Sequence, residues 1–243
     1  GGASGIGREM CRRFAREGAK KVIVADLNGE GAASVAAEIG GFSMAVDVRK
    51  ESEIVELINT TEAQFGPIDL FCSNAGIGIG KNIDEPDEVW QTIWEVNTMA
   101  HVWAARHLVP LMIARGGGYL LNTSSAAGLL NQIGSVTYAV TKHAAVALAE
   151  WLSITYGDQG IKVSVLCPQA VNTPLVAGGA GVAGVDGMIE PEVAVEAVVE
   201  TLREEKFLVL PHPEVAEYMK RKAADYDRWL KGMRRLQSQY IEN

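Results

Sequence analysis

A tyrosine and a lysine stand four residues apart, at Tyr138 and Lys142, in a segment with a helical pattern. Two residues at this spacing lie side by side on one face of a helix. A tyrosine hydroxyl has an ordinary pKa of about 10, so it transfers protons poorly at neutral pH. A fixed cation beside it favours the phenolate and lowers that pKa, as a general acid or base requires. The pair is therefore a candidate acid/base couple, although the same spacing also fits two ordinary surface neighbours.

The first seven residues form a glycine-rich turn, Gly1-Gly2-Ala3-Ser4-Gly5-Ile6-Gly7, which leads into a helical segment. Such a turn lets the backbone approach a phosphate, and the amino end of the next helix favours its negative charge. An apolar run then ends at Asp26, nineteen positions after Gly7, where a carboxylate meets the ribose hydroxyls of NAD. A glycine cluster alone also fits a plain loop, but with this acid it indicates dinucleotide binding.

The elements that must position these residues alternate short apolar runs with longer amphipathic ones, the pattern of a parallel sheet covered by helices. Strands are predicted at 21–26, 42–46, 68–73, 118–123, 161–166 and 206–210, and helices at 5–17, 29–39, 51–65, 87–114, 136–158 and 191–204. A glycine turn of this kind follows a buried strand, so we expect a first strand ahead of Gly1, absent from this sequence. The expected fold class is α/β, a doubly wound Rossmann-type parallel sheet of seven strands with helices on both faces.

The motifs together resemble the short-chain dehydrogenase/reductase family in its compact single-domain form. Between the glycine turn and the Tyr-x-x-x-Lys pair, and after it, further family motifs follow in order: Asp47-Val48, Ser73-Asn74-Ala75-Gly76, Asn97, Ser125 and the segment from Pro168 to Thr173. The resemblance covers Gly1 to about Pro211. It implies one catalytic domain over residues 1–211, with residues 212–243 as a helical extension of that domain.

The resemblance also implies roles for four catalytic residues. Tyr138 is expected to exchange a proton with the substrate oxygen while hydride passes to or from the nicotinamide. Lys142 is expected to lower the pKa of the tyrosine and to bind the nicotinamide ribose. Ser125, thirteen residues before Tyr138, is expected to hold the substrate oxygen, with Ser124 as the alternative. Asn97, a poor helix former within a predicted helix, is expected to anchor a water that links the lysine to solvent.

Cofactor contacts are implied in the same way. Asp47 is expected to meet the adenine amine, with Val48 packed beside the ring. The remaining expected contacts are Gly1, Ser4, Gly5, Ile6, Gly7, Asp26, Leu27, Asn74, Ala75, Gly76, Tyr138, Lys142, Pro168, Val171 and Thr173.

The expected cofactor is NAD rather than NADP. Ser4 and Leu27 occupy positions where a basic residue would help to bind a 2′-phosphate, and Asp26 would repel that phosphate. One residue departs from the family pattern: Gln169 follows Pro168 where glycine is usual, which leaves the geometry of that loop open.

Composition excludes several classes of protein. A chain of 243 residues at 48% hydrophobic can bury one large core. Its net charge of −8 argues against a nucleic-acid surface, and no apolar run is long enough to span a membrane. The three cysteines, Cys11, Cys72 and Cys167, are far apart and have no metal-ligand spacing. We therefore expect a cytoplasmic protein with buried thiols, no metal site and no nucleic-acid or membrane partner.

The substrate is expected to be an apolar secondary alcohol or ketone, and steroid-like, fatty and small alicyclic compounds fit this expectation equally. Residues 175–190 are rich in Gly, Ala and Val and predict a mobile lid over an apolar pocket. The segments around this pocket carry no basic residue, which disfavours a charged substrate. Its expected neighbours are Ala126, Ala127, Leu129, Leu130, Gln132, Val171 and Met188.

After Pro211 a stripe of largely apolar residues runs at alternating steps of four and three and predicts a helix that begins at Pro213. The stripe is Val215, Met219, Lys222, Tyr226, Trp229, Met233, Leu236 and Tyr240. It can be buried on its own subunit, on a neighbouring subunit or over the active-site mouth. We favour a neighbouring subunit, and with the long helices 87–114 and 136–158 as a second contact we expect a homotetramer, with a dimer as the alternative.

Two other function classes compete with an NAD-dependent dehydrogenase. One is a catalytically silent nucleotide-binding regulatory protein on the same fold, against which the retention of Asn97, Ser125, Tyr138 and Lys142 speaks. The other is a methyltransferase on a similar sheet, for which the Tyr/Lys pair would have no role.

Overall fold

The computed structural model describes residues 1–240, and the strands in this range are all parallel. The strands are β1 (Ile23–Asp26), β2 (Phe42–Ala45), β3 (Leu70–Ser73), β4 (Gly118–Thr123), β5 (Ile161–Leu166) and β6 (Leu208–Val209). The α-helices are α1 (Gly5–Arg16), α2 (Gly29–Ile39), α3 (Glu51–Phe65), α4 (Asp87–Trp94), α5 (Ala100–Ala114), α6 (Ala127–Leu130), α7 (Val136–Tyr156), α8 (Pro191–Arg203), α9 (Glu214–Ala224) and α10 (Tyr226–Gln237). The last three residues of the predicted extension lie outside the described residues.

The strands form two sheets, β1-β2 and β3-β4-β5-β6. The first two residues lie between them: the Gly2 amide donates to the Ala25 carbonyl at 3.0 Å, and Asn74 Nδ2 donates to the Gly1 carbonyl at 3.2 Å. The α/β fold class with a parallel sheet is confirmed. The seventh strand, expected ahead of Gly1, stays a prediction.

Helices cover both faces of the larger sheet, as the pattern predicted. On β4 the consecutive residues Leu120 and Leu121 belong to different clusters, because neighbouring strand residues point to opposite faces. The cluster around Leu120 is formed by α3, α5 and α7, and the cluster around Leu121 by α1 and α8. Because the helices pack on the faces of the sheet, the carboxyl ends of its strands stay uncovered and can form a site.

Two helix predictions need correction. The helix predicted over 87–114 contains a π-helical turn, Glu95–Met99, between α4 and α5, and Asn97 lies at its centre. The predicted tail stripe is divided into α9 and α10 at Asp225, whose extended backbone ends one helix and whose carboxylate accepts from the Arg228 amide at 2.9 Å to begin the next. Within residues 1–240 no helix is both long and apolar enough to cross a membrane.

Candidate active site

A cavity of about 820 Å³ opens at the carboxyl ends of β1, β3, β4 and β5, where open parallel sheets bind their ligands. The residues predicted for the site line this cavity, except Asn97. They are Gly1, Ser4, Gly5, Ile6, Gly7, Asp26, Leu27, Asp47, Val48, Asn74, Ala75, Gly76, Ser125, Tyr138, Lys142, Pro168, Val171 and Thr173. We call this the cofactor cavity.

The glycine turn gives the cofactor cavity a backbone wall that fits a pyrophosphate. Gly5 has a φ of 51°, in the left-handed region that favours glycine. A Cβ there would lie 2.9 Å from Cγ2 of Thr173, and one at Gly7 would collide with the Gly1 carbonyl. Only glycine lets these chain segments come so close at the start of α1, where backbone amides and the helix dipole attract anions.

Asp26, at the end of β1, supplies a carboxylate to the same cavity. Its oxygens accept the amides of Ala3 at 3.0 Å and Asn28 at 2.8 Å. Burial raises the pKa of Asp26, but the opposing effects outweigh it and lower the pKa, and the largest of these are the hydrogen bonds from the Ala3 and Asn28 amides. The group is therefore an anion at neutral pH, which suits ribose hydroxyls and opposes a 2′-phosphate.

An ion pair that the sequence analysis missed stands near Asp26. The buried carboxylate of Asp47 binds the guanidinium of Arg49, with Nη2 at 2.7 Å and Nε at 3.0 Å. The hydrogen bonds from Arg49 lower the pKa of Asp47. Arg49 also lines the cofactor cavity, so an adenine amine at Asp47 would share the carboxylate with it. The signal in the sequence was an arginine two residues after Asp47.

Helix α7 carries the Tyr/Lys pair into the cavity. The Nζ atom of Lys142 lies 5.5 Å from the centroid of the Tyr138 ring and donates to the Thr123 carbonyl at 3.1 Å. Lys142 is 2% exposed, and burial lowers its pKa to about 8. A Cβ on Gly76 would lie 3.2 Å from Nζ, so a glycine lets the loop after β3 pack directly against the ammonium.

The pKa of Tyr138 moves against the expected direction in the chain by itself. Burial raises it, and the hydroxyl of Ser125 offsets only part of the increase. The predicted lowering by Lys142 is therefore wrong for the chain alone, because burial also disfavours the charge on the lysine. The spacing of the pair predicted their proximity but could not predict how much water both groups lose.

The two candidate serines differ in what their hydroxyls do. The Oγ atom of Ser124 is buried and donates to the Lys142 carbonyl at 2.8 Å, so it fastens β4 to α7. The Oγ atom of Ser125 accepts the Ala127 amide at 3.1 Å and approaches the Pro168 carbonyl at 3.3 Å. Ser125 is only partly buried and is the serine near the Tyr138 hydroxyl. This favours Ser125 as the group that holds a substrate oxygen.

Asn97 lies behind the cavity rather than in its lining. Its Nδ2 donates to the Ile77 carbonyl at 2.9 Å and its Oδ1 accepts the Ile77 amide at 2.9 Å. The same Nδ2 lies 3.2 Å from Oγ1 of Thr141 on α7. The π-turn thus ties the loop after β3 to α7 through one fully buried amide. The predicted water relay stays a prediction; the contacts present position the loop beside Lys142.

Gln169, the departure from the family pattern, links three parts of the chain. Its amide nitrogen Nε2 donates to Asp186 Oδ2 at 2.9 Å, and its backbone amide donates to Nδ1 of His212 at 3.2 Å. The other oxygen of Asp186 accepts from the Tyr218 hydroxyl at 2.8 Å. The side chain of Gln169 therefore holds Asp186 of the predicted lid, a contact that glycine could not make, and Asp186 itself binds α9 through Tyr218.

A second cavity of about 670 Å³ adjoins the first, and Ser125, Gln132, Gln169 and Ala183 line both. We call it the tail cavity, because α9 and α10 form its outer wall. Four of the predicted substrate neighbours line it, namely Ala126, Ala127, Leu130 and Gln132, whereas Val171 lines the cofactor cavity. Leu129 and Met188 line neither cavity, which corrects those two predictions.

The tail packs on its own subunit, which was one of the three interpretations left open, and it lines the tail cavity beside the cofactor cavity. Val215 is fully buried against Ala126 and Leu130 of the α6 region. Lys222, the polar residue in the predicted stripe, donates from Nζ to the Leu129 carbonyl at 2.7 Å. Within residues 1–240 no cluster of three metal-ligating side chains is found.

Comparisons with known proteins agree with this arrangement. The family model described as short chain dehydrogenase matches residues 1–180. The chain is 36% identical over 218 residues to a 1-deoxy-11-beta-hydroxypentalenate dehydrogenase of Streptomyces exfoliatus, covering 85% of this chain and 79% of that protein. It is 32% identical to epidermal retinol dehydrogenase 2 of Homo sapiens, covering 87% and 72%.

A solved structure agrees as well. The 3-ketoacyl-(acyl-carrier-protein) reductase of Brucella melitensis, complexed with NADH, superimposes with a TM-score of 0.79 at 27% identity, covering 86% of this chain and 92% of that one. With the family model matched over most of its length, this chain belongs to the short-chain dehydrogenase family of oxidoreductases.

Proposed function

We propose that this chain is an NAD-dependent oxidoreductase that interconverts a secondary alcohol and the corresponding ketone. The observation that carries the proposal is the convergence of Ser125, Tyr138 and Lys142 on one cavity with the glycine turn and Asp26. The chain's own residues thus supply a phosphate wall, a ribose carboxylate and a proton-carrying group around a single space.

Each residue has a task that follows from its place. A bound nicotinamide cofactor would supply the hydride chemistry. The glycine turn would hold the phosphates of that cofactor, and Asp26 would bind one of its riboses. Ser125 donates a hydrogen bond that holds the substrate oxygen near the Tyr138 hydroxyl. Tyr138 takes the proton from an alcohol, or returns it to a ketone. Lys142, with a pKa of about 8, is the positive group beside the phenol.

Relatives support the choice of cofactor and substrate class. The Brucella structure is complexed with NADH, and the Streptomyces relative is named for a hydroxy compound. NAD rather than NADP is favoured by the anionic Asp26 and by Leu27, which is 69% exposed where a basic residue would be needed. Neither a silent regulatory protein nor a methyltransferase gains support from any contact in the site.

Assembly and location form part of the proposal. A homotetramer is supported by apolar side chains left exposed on α7 and α10, which include Trp151, Ile154 and Leu230. A cytoplasmic location is supported by three free thiols, none of them in a disulfide. Burial raises the pKa of the Cys72 thiol to about 12, so that group stays protonated and unreactive.

A spectrophotometric screen tests the function. NADH formation is followed with a panel of secondary alcohols, and with NADP in parallel. Turnover of at least one alcohol with NAD is expected. Binding of NAD without turnover of any alcohol or ketone would favour the silent alternative.

A further inference from the structure

The tail cavity has three arginines in its outer wall. Arg221 lies near the end of α9, and Arg228 and Arg235 lie on α10. Their spacing of seven residues corresponds to two helical turns, which places Arg228 and Arg235 on one face of α10, about 10 Å apart along its axis. Ala126, Ala127 and Leu130 give the cavity an apolar wall at α6, next to Ser125, and Asn131 and Gln132 follow that wall.

These guanidinium groups lack the carboxylate partners that arginines have elsewhere in the chain. Of the arginines before residue 211, all but Arg8 form ion pairs; they are Arg12, Arg13, Arg16, Arg49, Arg106, Arg115 and Arg203. Among residues 1–240 Arg221, Arg228 and Arg235 form none. All three side chains are exposed, so their N–H donors are open to solvent and to a ligand in the cavity.

The charge of the wall contrasts with that of the whole chain. The chain carries a net charge of −8, yet the tail cavity is lined by three arginines and one acid, Asp225. The Oδ1 atom of Asp225 already accepts the Arg228 amide as the cap of α10. Arg221 lies 5.7 Å from the centroid of the Tyr218 ring, and that hydroxyl binds Asp186. Stacking orients a guanidinium without using its N–H donors.

From this wall we infer that the substrate carries an anionic group, and that Arg221, Arg228 and Arg235 select for it while Ser125 and Tyr138 act on its hydroxyl or keto end. The inference deepens the proposed function and rests on it. The apolar α6 wall holds the body of the molecule, so the substrate class is an apolar hydroxy or keto acid. Guanidinium binds carboxylates bidentately, which gives orientation as well as affinity.

This replaces the expectation of an uncharged substrate. That expectation considered only the segments around the lid and α6, which carry no basic residue. The arginines come from the tail, which sequence spacing alone could not place beside Ser125.

The test compares hydroxy acids of increasing chain length, each with a secondary alcohol, against their methyl esters. For the wild-type chain with NAD, kcat/KM for the best acid is expected to exceed that of its ester about tenfold. The difference is expected to lie in KM and to shrink as salt is added, because exposed charge pairs are screened. Arg228→Gln and Arg235→Gln are expected to reduce the acid-to-ester ratio several-fold.

Arg234→Gln is the matched control, since Arg234 lies on the same helix and does not line the tail cavity. It is expected to leave the acid-to-ester ratio unchanged. Esters that react as well as acids, or an equal loss of the ratio in Arg234→Gln, would overturn the inference while leaving the proposed oxidoreductase in place.

If no alcohol of either kind is oxidised, the proposed function fails separately. Calorimetric titration of the same acids into the NAD-saturated chain then decides the inference. Saturable binding that is weakened by Arg228→Gln and not by Arg234→Gln supports an anion site in the tail cavity. Binding that is absent, or equal in both variants, overturns it.

Discussion

Lys142 shows how the site depends on one buried charge. The side chain is 2% exposed, its ammonium has the Thr123 carbonyl as its hydrogen-bond acceptor, and no carboxylate pairs with it within residues 1–240. Folding removes water from the Lys142 ammonium beside Tyr138, which costs free energy. The pKa of Lys142 therefore falls from its ordinary value to about 8. The proposed function requires this cation, because a neutral residue beside Tyr138 could not stabilise the phenolate that forms during the reaction.

The first prediction concerns the pH dependence of stability. Below about pH 8 the folded and unfolded chains both hold the proton on Lys142, and the full penalty is present. Between about pH 8 and the ordinary lysine pKa, the unfolded chain binds more protons, so this group makes stability rise with pH. Lys142→Met is therefore expected to raise the free energy of unfolding at pH 7 by up to about 3 kcal/mol, less the lost hydrogen bond, with a smaller gain at pH 10.

Urea unfolding at the two pH values measures this, with Lys231→Met on the exposed surface of α10 as the control. A gain from Lys142→Met that is the same at both pH values would show that the buried ammonium is not the titrating group.

The second prediction concerns Asp26 and cofactor choice. Because its carboxylate is ionised and lines the cofactor cavity, NAD is expected to bind at least tenfold more tightly than NADP, a difference of about 1.4 kcal/mol. Asp26→Asn should reduce the ratio of the NADP and NAD dissociation constants. Glu30→Gln is the control, because Glu30 is an exposed acid at the start of α2, and it should leave that ratio unchanged. Fluorescence titration of both cofactors measures it. Equal affinities in the wild type would mean that Asp26 does not face the ribose.

Among the elements, the π-helical turn at Glu95–Met99 has the clearest link to function. Isolated π-turns within α-helices are frequent at functional sites. Here the turn brings Asn97 to both backbone groups of Ile77 and close to Thr141. The loop after β3 is thereby fixed against Lys142 on α7, so one side chain joins three elements around the cavity.

The third prediction follows from these bonds. Asn97→Ala would leave the partly buried amide and carbonyl of Ile77 without their partner. This is expected to lower the free energy of unfolding by about 2 kcal/mol and to reduce kcat as the loop moves. Thr98→Val removes the neighbouring bond to the Thr141 carbonyl and serves as the control. It should reduce stability with little effect on kcat. A full kcat in Asn97→Ala would show that the loop is held in another way.

The elements also show what a sequence alone can predict. The bounds of β4 and β5 and of α2 and α3 were predicted to the residue, because apolar runs and flanking glycines determine them locally. The π-turn depends on contacts that Asn97 makes with Ile77 and Thr141, which lie far from it in the sequence. The helix break at Asp225 and the Asp47–Arg49 pair are local, and the sequence analysis did not use their signals. Motif order predicted the lining of the cofactor cavity, whereas the tail cavity needed the three-dimensional placement of α9 and α10.

The surface of the whole molecule retains apolar side chains that a second subunit would bury. Ile154 on α7 is 83% exposed, and Trp151 beside it is 54% exposed. On α10, Leu230 is 43% exposed on the side away from the tail cavity, whose lining it does not join. Two such surfaces on different elements are compatible with two different two-fold contacts, and hence with a tetramer.

The fourth prediction separates these two surfaces. The intact chain is expected to be a tetramer. Leu230→Glu is expected to be a dimer, because it disrupts the contact through α10, and Ile154→Glu is expected to lose the contact through α7. Light scattering measures the mass of each form. A monomeric wild type, or a tetrameric Leu230→Glu, would contradict the assignment of the α10 surface.

Deletion after Pro211 is expected to give an unstable product, because it removes Val215 from its buried place against Ala126 and Leu130.

The central claim is that Tyr138 carries the proton of an NAD-dependent oxidation. Its most direct test is the turnover of Tyr138→Phe, a change that removes one oxygen and little volume, measured as NADH formation with an alcohol that the wild type accepts. We predict that kcat falls below a few per cent of the wild-type value while NAD affinity is nearly unchanged, and that Tyr156→Phe on the same helix keeps its kcat. A Tyr138→Phe chain that oxidises the alcohol at an appreciable rate would contradict the account, because another group would then handle the proton.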